Sequence, residues 1–282
     1  MNELTTQSQI NVRARYFYVA CIAAFSLRFA SSVLFSQLSQ PVLVDPGIDN
    51  TYWLFHWMGI PRLVTQSFIW SAVLDILLFL LPVMAALLTQ RRVYAILFTL
   101  LVLIYQVTYS TYAMHHYHSL IGVLFLSMPF WFGPGQRFTI MWEAARYYFF
   151  FIFSSAALWK LSTGALFHSG QMSAILMSQH AQSINDYPAT MSSHMHSYLI
   201  AHGGLSQALL IAGFLIQASF IGGFFTKRFD RIYLILFMAF FAMNYLLMHI
   251  LSIELFVFLL VLLDWDRIEK KRPSASTTQE LS

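Results

Sequence analysis

The chain has 282 residues, of which 58% are hydrophobic, 17% aromatic and 10% charged, and its mean hydropathy is +0.63. A soluble domain is about 25% charged and about 45–50% apolar, so this chain lacks the polar surface to cover a water-soluble globule of its size. Disorder, a fibrous repeat and a disulfide-stapled secreted domain are excluded. The one cysteine, Cys21, lies in an apolar run and allows neither an internal disulfide nor a thiol-ligand metal motif. A net charge of +4 would suggest nucleic acid in a soluble protein. Here the partner expected is the lipid bilayer and not nucleic acid, and the position of each charge matters more than the sum.

The class that remains is an all-α polytopic membrane protein. A bilayer core of about 30 Å takes roughly 20 apolar residues as a helix. After a cytoplasmic arm over residues 1–15, eight candidate spans fill residues 16–266. They are Tyr16–Phe35, Phe68–Leu88, Val93–Ala113, Ser119–Phe132, Thr139–Leu161, Leu205–Phe225, Ile232–His249 and Ser252–Trp265. The fourth and the eighth are short enough to be re-entrant. The first is read as a span and not a cleaved signal peptide, because it exceeds a usual signal core in length and is interrupted by Arg28. Lysine and arginine collect in cytoplasmic loops. Twelve of the sixteen fall in the arm, the even-numbered loops and the tail, while the odd-numbered loops hold only Arg62. That alternation predicts eight crossings with both termini in the cytoplasm, in the inner membrane of a cell. Two outer loops are long. Residues 36–67 carry Trp53, Phe55 and Trp57, which predicts a helix lying among the headgroups. Residues 162–204 contain five histidines, no lysine or arginine, an apolar patch at 172–177 and a breaker at Pro188. The tail, 267–282, is basic and then Ser/Thr-rich, and disorder is expected there.

Ionisable groups within spans are costly unless paired or hydrated, and so mark candidate sites. At 1.5 Å per residue, Arg28 in the first span and Asp75 in the second both lie about 12–14 Å below the outer surface. An Arg28–Asp75 ion pair is the expectation, either as a brace that only fixes helix register or as part of a relay. Lys160, Glu254, His249 and His118 sit at the outer ends of their spans. Together the six predict a hydrated or ligand-filled cavity on the outer side. Against this stand snorkelling to the headgroups for Lys160 and hydrated helix ends for His249 and Glu254. A lysine walled by apolar groups can act as a base in its neutral form.

Weaker constellations carry less. Met114–His118 and His194-Met195-His196 resemble metal ligands, but imidazoles two apart do not share a helix face. Interfacial histidines are the preferred reading, with no metal. No Walker A, GxGxxG, GxSxG or HExxH pattern occurs.

Two segments are familiar together. His118-Ser119-Leu120-Ile121-Gly122-Val123-Leu124 leads to Pro129-Phe130-Trp131. Tyr147 to Leu161 runs aromatic, then small, then Trp159-Lys160-Leu161, and is followed by Phe167-His168-Ser169-Gly170. With Met248-His249 ahead of Ile253–Leu263, these resemble the membrane core of the vitamin K-dependent γ-glutamyl carboxylase and its microbial relatives, the horizontally transferred transmembrane (HTTM) family. The likeness covers about residues 15–265. It implies that Lys160 is the base that deprotonates a reduced, vitamin K-like quinone and that His118 stands beside the reacting substrate. The sequence departs from the pattern at Tyr117, where an Asn precedes the His, at Trp159, where a second lysine stands, and at Phe167, where the family has tryptophan. The segment matching the carboxylase's large outer domain is not in the sequence, so only the membrane core is implied.

The reading that results is an outer-side pocket for a lipid-soluble, quinone-like small molecule. Lys160 and His118 would be catalytic in carboxylase- or oxygenase-type chemistry, and Arg28, Asp75, His249 and Glu254 would bind substrate. The alternative is a transporter, a channel or a helper subunit of a membrane complex.

Overall fold

A computed structural model of the chain describes residues 6–37, 57–59, 62, 64, 67–112, 120–249 and 252–270. Every regular element among the described residues is helical. Five helical segments are long and apolar enough to cross a membrane: Gln7–Gln37, Phe68–Leu87, Arg92–Tyr109, Gly203–Phe224 and Asp230–Met248. They coincide with the first, second, third, sixth and seventh spans expected. Large apolar side chains are left on the outside, as at Phe68, Ile69, Ile76 and Leu87 of the second, all at least 63% exposed.

The other three are not among these five for physical reasons. The fifth, Gln136–Ser162, is a helix of 27 residues and long enough to cross. Glu143, Arg146, Lys160 and several tyrosines and tryptophans make it less apolar than the five. The fourth and eighth are broken. Ile121–Ser127 passes at Pro129 into a 3-10 turn, Met128–Trp131, and Leu255–Phe258 passes into a second, Leu259–Leu262. Seven to eleven helical residues rise less than about 20 Å, short of the bilayer core.

The chain divides into two units. The first combines Met1–Ala145 with Ser252–Ser282. Its principal helices are α1 (Gln7–Ala30), α2 (Phe68–Leu87), α3 (Arg92–Tyr112), α4 (Ile121–Ser127) and the start of α5 (Gln136–Ser162). The start of α1 is fixed by a capping box: Gln9 N–H donates to Thr6 Oγ1 at 3.3 Å and Thr6 N–H donates to Gln9 Oε1 at 2.8 Å. α1 packs on α2, and α2 on α3. The core is aromatic: Phe17 stacks on Phe130 at 5.3 Å, and Phe138 stacks on Trp142 at 5.9 Å.

The second unit is Arg146–Leu251. The rest of α5 leads to α6 (Gln171–Asp186), α7 (Met191–Ala201), α8 (Gly203–Ser219) and α9 (Asp230–Met248). The stretch expected as a long loop, 162–204, is thus largely a helical hairpin. Apolar residues Met172 and Leu176 at i and i+4 line one face of α6. Pro188 breaks the helix, and Thr190 restarts it by accepting from Ser193 N–H at 3.3 Å. Met172, Leu176, Leu199 and Leu247 form the core under the hairpin. A separate aromatic core joins Phe149, Phe150 and Phe153 of α5 to Phe220 and Phe237. Two short helices of the first unit, α10 (Leu255–Phe258) and α11 (Trp265–Lys270), complete the chain order.

Of the headgroup helix expected over 36–67, Trp53 and Phe55 lie outside the described residues, and Trp57 is exposed. The tail beyond residue 270 also lies outside them.

Candidate functional site

In the first unit, ionisable residues from three distant stretches of chain are buried together. α1 carries Arg28 in its last turn, where positive charge complements the helix dipole. Ser32, with φ of 57°, then reverses the chain. The turn that follows is held by Leu34 N–H donating to Gln37 Oε1 at 3.1 Å and by Gln37 Nε2 donating to Phe29 O at 3.0 Å. This places Ser36 N–H to donate to Asp75 Oδ2 at 2.8 Å, and Asp75 lies on the buried face of α2 with Ser71, Leu78 and Pro82. α3 supplies two tyrosines one turn apart. Tyr105 donates its phenol to Asp75 Oδ1, and Tyr109 donates to Val33 O. Phe35 stacks on Tyr105 with centroids 3.8 Å apart and planes within 4°.

Arg28 pairs with Glu254, which precedes α10. Its guanidinium also lies 4.6 Å from the centre of the Tyr109 ring. The ion pair expected from sequence, Arg28–Asp75, is therefore replaced. The adjacency of the first two spans is correct, but Tyr105 and Ser36 occupy the Asp75 carboxylate, and Glu254 takes the arginine. Arg28 is 5% exposed, Asp75 7% and Glu254 1%. Charges this deep persist only when paired and hydrogen-bonded. Chemically, the arrangement offers a guanidinium and two carboxylates bordered by phenols, groups able to orient a polar headgroup or pass a proton.

In the second unit, Lys160 near the end of α5 donates to the side-chain oxygen of Gln217 on α8. Gln217 is buried and Lys160 half-buried. An amide oxygen fixes the amine's position without supplying an opposite charge, an arrangement compatible with a basic role. Further back on α5, Arg146 grips Asp230 in a fork, Nε to Oδ2 at 3.1 Å and Nη2 to Oδ1 at 2.6 Å, and also donates to Thr226 O at 3.0 Å.

A third cluster is made of imidazoles. His180 on α6 and His196 on α7 stack at 3.7 Å with planes 7° apart, and His249, after α9, lies 5.0 and 5.3 Å from them. His180 Nε2 is 2.8 Å from Leu247 O, and Ser192 Oγ is 3.4 Å from His196 Nδ1 and 3.3 Å from His249 Nε2. Burial, with the neighbouring His180 and His249, lowers the His196 pKa from its ordinary value. His249 takes φ of 52° as the cap of α9. Among the described residues no group of three or more His, Cys, Asp or Glu is arranged to hold a metal ion. His194 and His196 fall on opposite faces of α7, exposed and buried respectively, as their spacing of two requires.

Of the six residues singled out from sequence, Arg28, Asp75 and Glu254 come together. His249 joins His180 and His196, Lys160 joins Gln217, and His118 lies outside the described residues. Tyr105, Tyr109 and Asp230 were missed. The two tyrosines four apart in an apolar helix were a readable sign of a polar stripe.

Searches against protein-family models, curated proteins and solved structures find no match to this chain.

Proposed function

We propose that the chain is an integral protein of the inner cell membrane, with eight membrane-inserted segments and both termini cytoplasmic, that binds a lipid-soluble, quinone-like ligand. The observation that carries this reading is the burial of Arg28, Asp75 and Glu254, from three distant parts of the sequence, beside Tyr105 and Tyr109. Charged groups within membrane segments are costly, and their concentration in one place favours function over scattered structural use. Arg28 and Glu254 would orient the polar head of the ligand, and Asp75 with Tyr105 would relay its proton.

Lys160, held by Gln217, is the proposed base, and His118 the proposed partner of the substrate. Both roles follow the resemblance to the membrane core of the vitamin K-dependent carboxylase. On that reading the reaction is carboxylase- or oxygenase-like and the cofactor a reduced quinone. The test is quinol binding and turnover by the reconstituted protein with Lys160→Ala and His118→Ala. Loss of turnover in both, with folding intact, supports the assignment. Full activity in both refutes it.

A transporter is the second reading, and the part-buried Arg146–Asp230 pair favours it, since a solute path needs polar groups at more than one depth. Uptake of a solute into proteoliposomes, with the solute chemically unchanged, would select it over the enzyme.

A further inference from the structure

We propose that the first unit holds a binding site for a phosphate group at the end where α2 turns into α3, separate from the Arg28 cluster. The turn Leu88–Arg91 and the start of α3 meet α1 around a partly enclosed cavity of about 80 Å³. The cavity has room for a phosphate-sized anion but not for a lipid with its chains.

Five observations converge on an anion. Arg91 and Arg92 both line the cavity, and among the described residues neither has an ion-pair partner. No carboxylate lines it. The Arg92 guanidinium lies directly over Gly133, where a Cβ would collide with its Nη2, so the glycine provides the space in which that guanidinium rests. The first turn of α3 has no acidic residue and brings its N–H groups and the positive end of the helix dipole to the same place. Finally, Tyr18 lines the cavity with a side chain 1% exposed, and its buried hydroxyl has no hydrogen-bond partner among the described residues. A buried hydroxyl without a partner is costly unless a ligand or water supplies one. An anion held by two guanidiniums would do so. The neighbouring Thr89 hydroxyl is committed to Asn11 Oδ1 at 2.7 Å, and Gln7 Nε2 to the same oxygen at 2.8 Å. These bonds tie the cavity wall on α1 to the turn without consuming the arginines.

The phosphate can come from a phospholipid headgroup or from the free anion, and one experiment separates them. Delipidated full-length protein in detergent is titrated, with native mass spectrometry as the readout, with phosphatidic acid and with diacylglycerol of the same chains, which lacks only the phosphate. The expected result is binding at least tenfold tighter for phosphatidic acid. Each charge-assisted contact is worth about 1.5–3 kcal/mol, so Arg91→Gln/Arg92→Gln should weaken it by about a hundredfold or more. Tyr18→Phe should weaken it by about tenfold or more, with an unchanged melting temperature in the absence of lipid, because its hydroxyl has no protein partner to lose. Arg137→Gln, a basic residue outside the cavity, should leave it unchanged. Displacement of phosphatidic acid by inorganic phosphate supports the site with the free anion as its ligand, and failure to displace supports it with the headgroup. Equal binding of diacylglycerol, or an equal loss in Arg137→Gln, overturns the proposal.

Discussion

Removing one partner of the Arg28–Glu254 pair should be far more damaging than removing both. Glu254 is 1% exposed and Arg28 5%. Glu254→Gln keeps the shape and an acceptor but leaves the guanidinium uncompensated against the Tyr109 ring. Orphaning a buried ion in this way costs about 3–5 kcal/mol. At about 2–4 °C of melting temperature per kcal/mol, that is a drop of roughly 6–20 °C. Arg28→Met alone should cost a similar amount by stranding the carboxylate. The double variant Arg28→Met/Glu254→Met replaces both charges by unbranched apolar side chains, and should lie near the wild type or above it. The assay is thermal unfolding of the detergent-solubilised protein across the full double-mutant cycle, and the expected coupling exceeds about 3 kcal/mol. Single variants that each cost under about 1 kcal/mol, and that add in the double, would show that these two side chains do not form a buried pair.

Other expectations follow from single contacts. His196 is held below its ordinary pKa, so its unfolded form takes up a proton at higher pH than the folded one. Its contribution to stability is complete above about pH 6.5 and is lost as pH falls through the folded value. Melting curves from pH 8 to pH 5 should show the loss, and His196→Phe should flatten it; equal slopes in the two proteins would contradict the assignment. Gly223→Ala would drive a methyl into the Phe150 ring and should cost about 1–3 kcal/mol by denaturant titration. Gly213→Ala crowds the terminal methyl of Met243, at 2.8 Å, with Phe240 at an ordinary 3.9 Å, and should cost under about 1 kcal/mol or stabilise the helix. Arg146→Met strips Asp230 of its fork and should cost at least about 2 kcal/mol, while Arg146→Met/Asp230→Leu recovers most of it.

Much of the helical layout was legible in the sequence, because a bilayer imposes length and hydropathy on each crossing. The first two spans are a clear case: Tyr16–Phe35 and Phe68–Leu88 overlap the helices Gln7–Ala30 and Phe68–Leu87 almost end to end at the second. The short segments were readable only as short. Pro129 marks the 3-10 turn after α4, yet Leu255–Leu262 carries no breaker that announces its change of helix type. The hairpin at 162–204 hid because its helices are amphipathic and unlike spans, although Thr190 three residues ahead of Ser193 is a cap that sequence can show. Burial of Arg28 and Asp75 was readable from their depth in apolar spans, whereas Glu254, at a span end, read equally as a hydrated helix end. Their pairing was not readable, since depth along two neighbouring helices does not say which carboxylate a guanidinium can reach, and Tyr105 competes for Asp75. The stack of His180, His196 and His249 was equally hidden, because it joins residues up to 69 positions apart through the packing of three elements.

The central claim is that the buried charges of the first unit serve a lipid-soluble ligand. Its most direct test is mass spectrometry of the small molecules that copurify with the wild-type protein and with folded Asp75→Asn and Glu254→Gln variants. The account predicts a quinone-class compound enriched over the bulk membrane extract in the wild type and depleted in both variants. The same lipid complement in all three proteins, indistinguishable from the bulk extract, would contradict it.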